Sequence, residues 1–104
     1  MTAAAMKVAQ DISGKTKAII FGGSGQGEAI VANRFPGVRA TVWYGGNEEI
    51  IKLSKEHNNS NVLSIGARFV TEAETEKAIE LWLATNFSSD PKHQRRVDEI
   101  DNIE

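Results

Sequence analysis

Lys17-Ala-Ile-Ile-Phe-Gly-Gly-Ser-Gly-Gln-Gly-Glu-Ala-Ile-Val-Ala-Asn33 decides how the rest of this chain is read. A short apolar run, 18–21, has the look of a buried strand and enters Gly22-Gly23-Ser24-Gly25-Gln26-Gly27, which opens directly onto a helix beginning near Glu28. Four glycines in those six residues let the backbone turn sharply and approach a ligand without Cβ clashes. Main-chain N–H groups there, together with the positive end of the following helix, can converge on one anionic oxygen. The stretch reads as an anion cradle with a carboxylate, Glu28, at its rim. Its plain alternative is a tight turn in an α/β domain. The dinucleotide fingerprint fits poorly, because Glu28 stands where the third Gly or Ala belongs. No Gly-Lys-Ser/Thr follows, which excludes a Walker loop.

The whole chain has 104 residues and a net charge of −2, which suits one domain, 1–104, and gives no electrostatic footprint for nucleic acid. Cysteine is absent, so disulfides, thiolate metal sites and cysteine nucleophiles are out. No apolar run has the length of a membrane span, and the opening lacks a signal-peptide pattern. A soluble, cytoplasmic protein with no membrane partner is the default expectation.

In chain order, Thr2 is a candidate cap for a first helix, with Ala5, Val8, Ala9 and Ile12 as its apolar stripe and Gly14 as its end. Strands are expected at 17–21, 38–44 and 61–65. Between them lie helices from Glu28 to about Arg34, stopped by Pro36-Gly37, and from an Asn47 cap to His57. Thr71-x-x-Glu74 is a capping box for a helix to about Asn86, with Ala78, Ile79, Trp82 and Leu83 facing inward. Asp90-Pro91 caps and starts a last helix striped by Val97, Ile100 and Ile103. Strand–helix alternation of this kind spells βαβ units, a parallel sheet and a Rossmann-like three-layer α/β fold. Ligands of such sheets collect beyond the carboxyl ends of the strands, where the glycine loop, Tyr44-Gly45 and Gly66–Arg68 all fall.

His57 shares the apolar face of its helix, so a packed core histidine competes with a proton shuttle there. Lys92, His93, Arg95 and Arg96 form a basic cluster, either a solvated charge run or, through Lys92 and Arg96, a phosphate clamp that Arg68 could join. Two histidines without HxxxH or HExxH spacing make no metal site, and Ser24 lacks the glycine a nucleophile elbow needs two places on.

Gly22-Gly23-Ser24-Gly25-Gln26-Gly27-Glu28 with the residues to Ala40, Lys55-Glu56-His57-Asn58-Asn59 through Arg68, and Lys92-His93-Gln94-Arg95-Arg96 together resemble the ribose-5-phosphate isomerase B / galactose-6-phosphate isomerase family. The three motifs stand in the family's order. The resemblance implies a domain that dimerises, an active site built from two subunits, and reversible aldose–ketose isomerisation of a phosphorylated sugar with no cofactor. Many members use a cysteine as base at the position held here by Gly22. A second branch uses a glutamate, which corresponds to Glu28. By the same likeness, Ser24 and the amides of the loop, including Gly23, Gly25 and Gly27, stabilise an enediolate oxygen. His57 opens the furanose ring and Asn58 bonds the sugar. Arg68, Lys92 and Arg96 hold the phosphate, with His93 nearby.

Against the family pattern the chain reads as the C-terminal two-thirds of the domain. It lacks the first βαβ portion, roughly 45 to 50 residues, which leaves three recognisable strands. Strand 17–21 should then lose a sheet neighbour and need cover from a partner. A homodimer or higher oligomer, or a related chain as in two-chain members of the family, is expected. A non-catalytic partner subunit is the alternative to an enzyme. A nucleotide-binding module rests on the glycines alone.

Overall fold

The structure, a computed structural model, describes residues 2–103, the side chain of Thr2 excepted, so the cap expected of that side chain lies outside the described part. The elements are α1 (Thr2–Gln10), β1 (Ala18–Gly22), α2 (Gln26–Ala32), β2 (Ala40–Trp43), α3 (Glu49–Glu56), β3 (Val62–Gly66), α4 (Glu72–Ala84) and α5 (Pro91–Asp101). The strands form one parallel sheet in the order β1-β3-β2. Every residue of central β3 is buried, as a strand covered on both faces should be.

Side chains alternate along a strand, so each face of the sheet has its own core. Ile20 and Val62 pack with Ala5, Val8, Ala32 and Val38, joining α1 and α2 to one face. Leu63, Ile65 and Trp43 pack with Ile51, Ala78 and Trp82, joining α3 and α4 to the other. Helices, sheet and helices give the three-layer α/β arrangement expected from the alternating pattern.

Local chemistry sets the boundaries. Thr71 and Glu74 form the reciprocal capping box, each side chain accepting the other's N–H, at 3.1 and 2.9 Å. The Asp90 carboxylate accepts the Lys92 N–H at 3.0 Å, with Pro91 in the first turn. Asn47 accepts the Glu49 N–H at 2.9 Å. The strand expected over 38–44 is shorter because the Asn61 side chain takes the Arg39 N–H (2.7 Å) and donates to the Gly37 carbonyl (2.9 Å). Those groups are then lost to the ladder. The helix expected to reach Asn86 stops at Ala84, where Thr85 turns to an extended backbone.

Some expected core positions face solvent. Ile12 is fully exposed, because α1 has ended and the Asp11 carboxylate ties down the following turn through Ser13 and Thr16. Leu83 is exposed and Leu81 packs inward instead. Ala78 and Trp82, four apart, define the buried row, and a residue five beyond Ala78 points well off it. Ile100 and Ile103 are exposed too, leaving Val97 and His93 as the buried positions of α5.

Among the described residues β1 pairs on one side only, so its other edge is open, and Phe21 on it is more than half exposed. No described helix is long and apolar enough to cross a membrane.

Candidate active site

At the carboxyl ends of the strands, Gly22 of β1 lies beside Gly66 of β3. The ladder continues past both, with Ala67 N–H donating to the Gly22 carbonyl (2.7 Å) and Arg68 N–H to Gly23 (3.1 Å). Gly25 then takes φ +78°, a left-handed turn open to glycine, and its carbonyl accepts the buried Ser64 hydroxyl at 2.7 Å. A Cβ on Gly66 would strike the Ser24 carbonyl and Tyr44 Cβ, so glycine at both places lets the loop fold down onto β3.

This turn seats two charged side chains. A Cβ on Gly22 would fall on the Glu28 carboxylate, so that carboxylate lies directly against the bare Cα of residue 22. A Cβ on Gly23 would stand 3.2 Å from Arg68 Nε. Neither Glu28 nor Arg68 joins an ion pair among the described residues. Gln26 N–H donates to the Ser24 hydroxyl at 3.3 Å and Ala29 N–H to the Gly25 carbonyl at 3.1 Å. The N–H groups of Ser24, Gly25, Gly27 and Glu28 donate to nothing among the described residues. Unengaged amides, a hydroxyl and a carboxylate of the turn after β1 thus meet a guanidinium from the turn after β3.

The remaining candidates lie at the opposite edge. His57 caps α3, and Asn58 follows it in the turn that leads into the amino end of β3. His93 is 7 % exposed, with its ring stacked on that of His57 at 4.1 Å between centres and 26° between planes. Ser88 Oγ lies 2.6 Å from His93 Nδ1. Burial holds the His93 imidazole below its ordinary pKa, with His57, Lys92 and Arg96 adding to the lowering and Asp90 opposing it. Lys92 and Arg96 project from the first turns of α5 into solvent, without ion pairs among the described residues. The far end of α5 is pinned to the same edge by the Arg39–Asp101 pair at 2.9 Å.

The sequence-derived site residues therefore fall into two groups. Ser24, Glu28 and Arg68 gather with the loop glycines, while His57, Asn58, Lys92, His93 and Arg96 gather at the amino edge. Five residues of β3 separate them, roughly 13 Å of extended chain. A cavity of ≈ 620 Å³ also opens at the amino edge, between residues 33–41, Asn58 and the end of α5. None of the glycine loop lines it. Glu28 and the glycine turn therefore lie outside this hollow.

Sequence reasoning missed two residues of the amino edge. Ser88 sits in a stretch that reads as linker, yet its N–H donates to the Glu56 carbonyl at 3.1 Å and its hydroxyl reaches His93. Lys55 is 3 % exposed, with its ammonium 4.6 Å from the centre of the Trp82 ring. Its place four residues after buried Ile51 was the available signal.

A parallel sheet with a glycine-rich strand-to-helix turn at its carboxyl edge places the chain in the Rossmann-like α/β class. Within that class it belongs to the ribose/galactose isomerase family, whose family model matches residues 2–100. It is 43 % identical over 81 residues to ribose-5-phosphate isomerase B of Mycolicibacterium paratuberculosis, covering 77 % of this chain and 49 % of that one. With the Escherichia coli protein of the same name the identity is 36 % over 86 residues, 83 % of this chain and 56 % of the other. The fold superposes on ribose-5-phosphate isomerase B of Mycoplasma genitalium, solved with bound ribulose-5-phosphate, at a TM-score of 0.84 and 37 % identity. That match covers 93 % of this chain and 61 % of the other. For the type B enzyme of Trypanosoma cruzi the TM-score is 0.86 at 30 % identity, over 96 % and 64 %. The chain spans about half the length of the curated relatives it matches.

Proposed function

We propose that the chain is a sugar-phosphate aldose–ketose isomerase that interconverts ribose 5-phosphate and ribulose 5-phosphate through a cis-enediolate, with Glu28 as the base. The observation that carries this reading is the seat of Glu28, against the bare Cα of Gly22 and next to unengaged loop amides. The relative solved with ribulose-5-phosphate bound supports the substrate class.

The chemistry needs one carboxylate over two adjacent carbons. Glu28 takes the proton from C2, and the C–H electrons form the C1–C2 double bond as the aldehyde oxygen becomes an oxyanion. The same carboxyl returns the proton to C1 while the C2 hydroxyl proton passes to the C1 oxygen, so that C2 becomes the ketone and C1 the alcohol. Nothing is oxidised or reduced overall, so no cofactor is required. The N–H groups of Ser24, Gly25, Gly27 and Glu28, which have no partner among the described residues, with the Ser24 hydroxyl, stabilise the enediolate oxygen on this reading.

Ring opening and isomerisation act on neighbouring atoms of one sugar, yet His57 and Glu28 stand at opposite edges of the sheet. We therefore infer a site shared between copies. One contributes Glu28, Ser24 and Arg68. The other contributes His57 and Asn58, with Lys92 and Arg96 as cations for the phosphate. The same split favours a second reading, a partner subunit that completes its site only with a related chain. A coupled assay of the purified protein with ribose 5-phosphate separates them: ribulose 5-phosphate formation by the chain alone supports the isomerase, and activity only on mixing with a homologous chain supports the partner subunit. No activity in either arrangement would overturn both.

A further inference from the structure

His93 was expected among the substrate-binding residues, but its surroundings suit a different task. Its ring is buried, one face lies against His57, and Nδ1 is taken by Ser88. Ser88 is itself anchored through its N–H to the carbonyl of Glu56, the residue before His57. On the other side, the His93 N–H donates to the Asp90 carbonyl at 3.0 Å, in the first turn of α5. The loop 85–90, the start of α5 and the end of α3 thus meet at these two rings. The side chains of Lys92 and Arg96, which point outward, have no such ties among the described residues.

We propose that Ser88 and His93 are positioning residues for His57: the hydroxyl fixes the His93 ring, and the His93 ring fixes the plane and reach of the His57 imidazole. This rests on the proposed role of His57 in opening the sugar ring. A half-buried histidine at a helix end would otherwise have two free side-chain torsions, and a proton-transfer group loses rate steeply when it is misplaced. Stacking restricts the ring to one plane while leaving its edge, where both nitrogens lie, open to a ligand. The charged groups around the pair have assigned places. Asp90 favours a proton on His93, whereas His57, Lys92 and Arg96 and the burial of the ring oppose one. Burial foremost, these surroundings disfavour a positive charge on His93 where it lies against His57.

The test reads the two imidazoles directly, by long-range ¹H–¹⁵N spectra of the full chain as wild type, Ser88→Ala, His93→Phe and His93→Ala. The expected result is a ring-current displacement of the His57 ring signals in wild type and in His93→Phe, which keeps an aromatic face there, and its loss in His93→Ala. Ser88→Ala should change the Nδ1 signal of His93. In the isomerase assay, His93→Ala should lower kcat about 10- to 100-fold with a smaller change in KM, and His93→Phe should recover most of that loss. His57 signals that are identical in wild type and His93→Ala would overturn the proposal, as would a KM effect without a kcat effect. The spectra need no turnover. Displaced His57 signals in a chain without isomerase activity would overturn the reaction and still support the stacked arrangement.

Discussion

The Glu28 carboxylate occupies the space in which a side chain on Gly22 would stand, so residue 22 and residue 28 compete for one position above the loop. Gly22→Ala should push the carboxylate off its seat. The expected outcome is a kcat lowered about 10- to 100-fold, with the carboxylate chemically intact. Glu28→Gln keeps the seat and removes the base, and should cost roughly a hundred- to ten-thousand-fold in kcat. Steady-state kinetics beside thermal melts check both, since neither change should shift the melt by as much as a core substitution does.

Lys55 gives the fold an alkaline signature. Loss of hydration, and secondarily Lys17, pushes its ammonium from 10.5 down to about 8. Between those values the folded chain binds fewer protons than the unfolded one, so stability rises with pH across that window and does not change below it on this account. The gain is at most about 3 kcal/mol, reduced by the contact with the Trp82 ring. Urea midpoints should climb between about pH 8 and about pH 10.5 in wild type, and the climb should flatten in Lys55→Met.

Asp11 acts at the other end of the scale. Its carboxylate accepts the Ser13 and Thr16 hydroxyls, at 2.6 and 2.5 Å, and their N–H groups, at 2.9 and 2.8 Å. These bonds, the two hydroxyls foremost, hold it well below the usual carboxylate range. A lowered carboxylate stabilises the fold above its unfolded pKa of about 4, and that stability is lost as pH falls towards the folded value. Asp11→Asn should lower stability at neutral pH and make the remaining stability less sensitive to acid, as read by circular dichroism.

Much of this fold was legible because its signals are local. The Thr71/Glu74 box, the Asp90-Pro91 start and the glycine turn each act within a few residues, and each stands where the sequence put it. Leu83 and Ile12 were misplaced because which side of a helix faces inward, and where the helix stops, depends on partners far along the chain. Trp82 shows this, with its ring N–H donating to the Ser60 hydroxyl at 2.8 Å across 22 residues. The individual candidate residues could be singled out by type and motif. Their division between two sheet edges could not, because it follows from strand direction: β1 delivers its loop to one edge while the α3-to-β3 turn lies at the other. The pairing of His57 with His93 depends on how α5 crosses that edge, and no spacing encodes it.

The separation of Glu28 from His57 within one chain gives the account its most direct test. Glu28→Gln and His57→Ala proteins, each inactive alone, should regain activity when mixed under conditions that allow subunits to exchange. In a random mixture of twofold dimers about a quarter of the wild-type rate is expected, from hybrids that hold one intact site. An exchanged mixture that stays inactive while wild type turns over would contradict a site assembled from two copies.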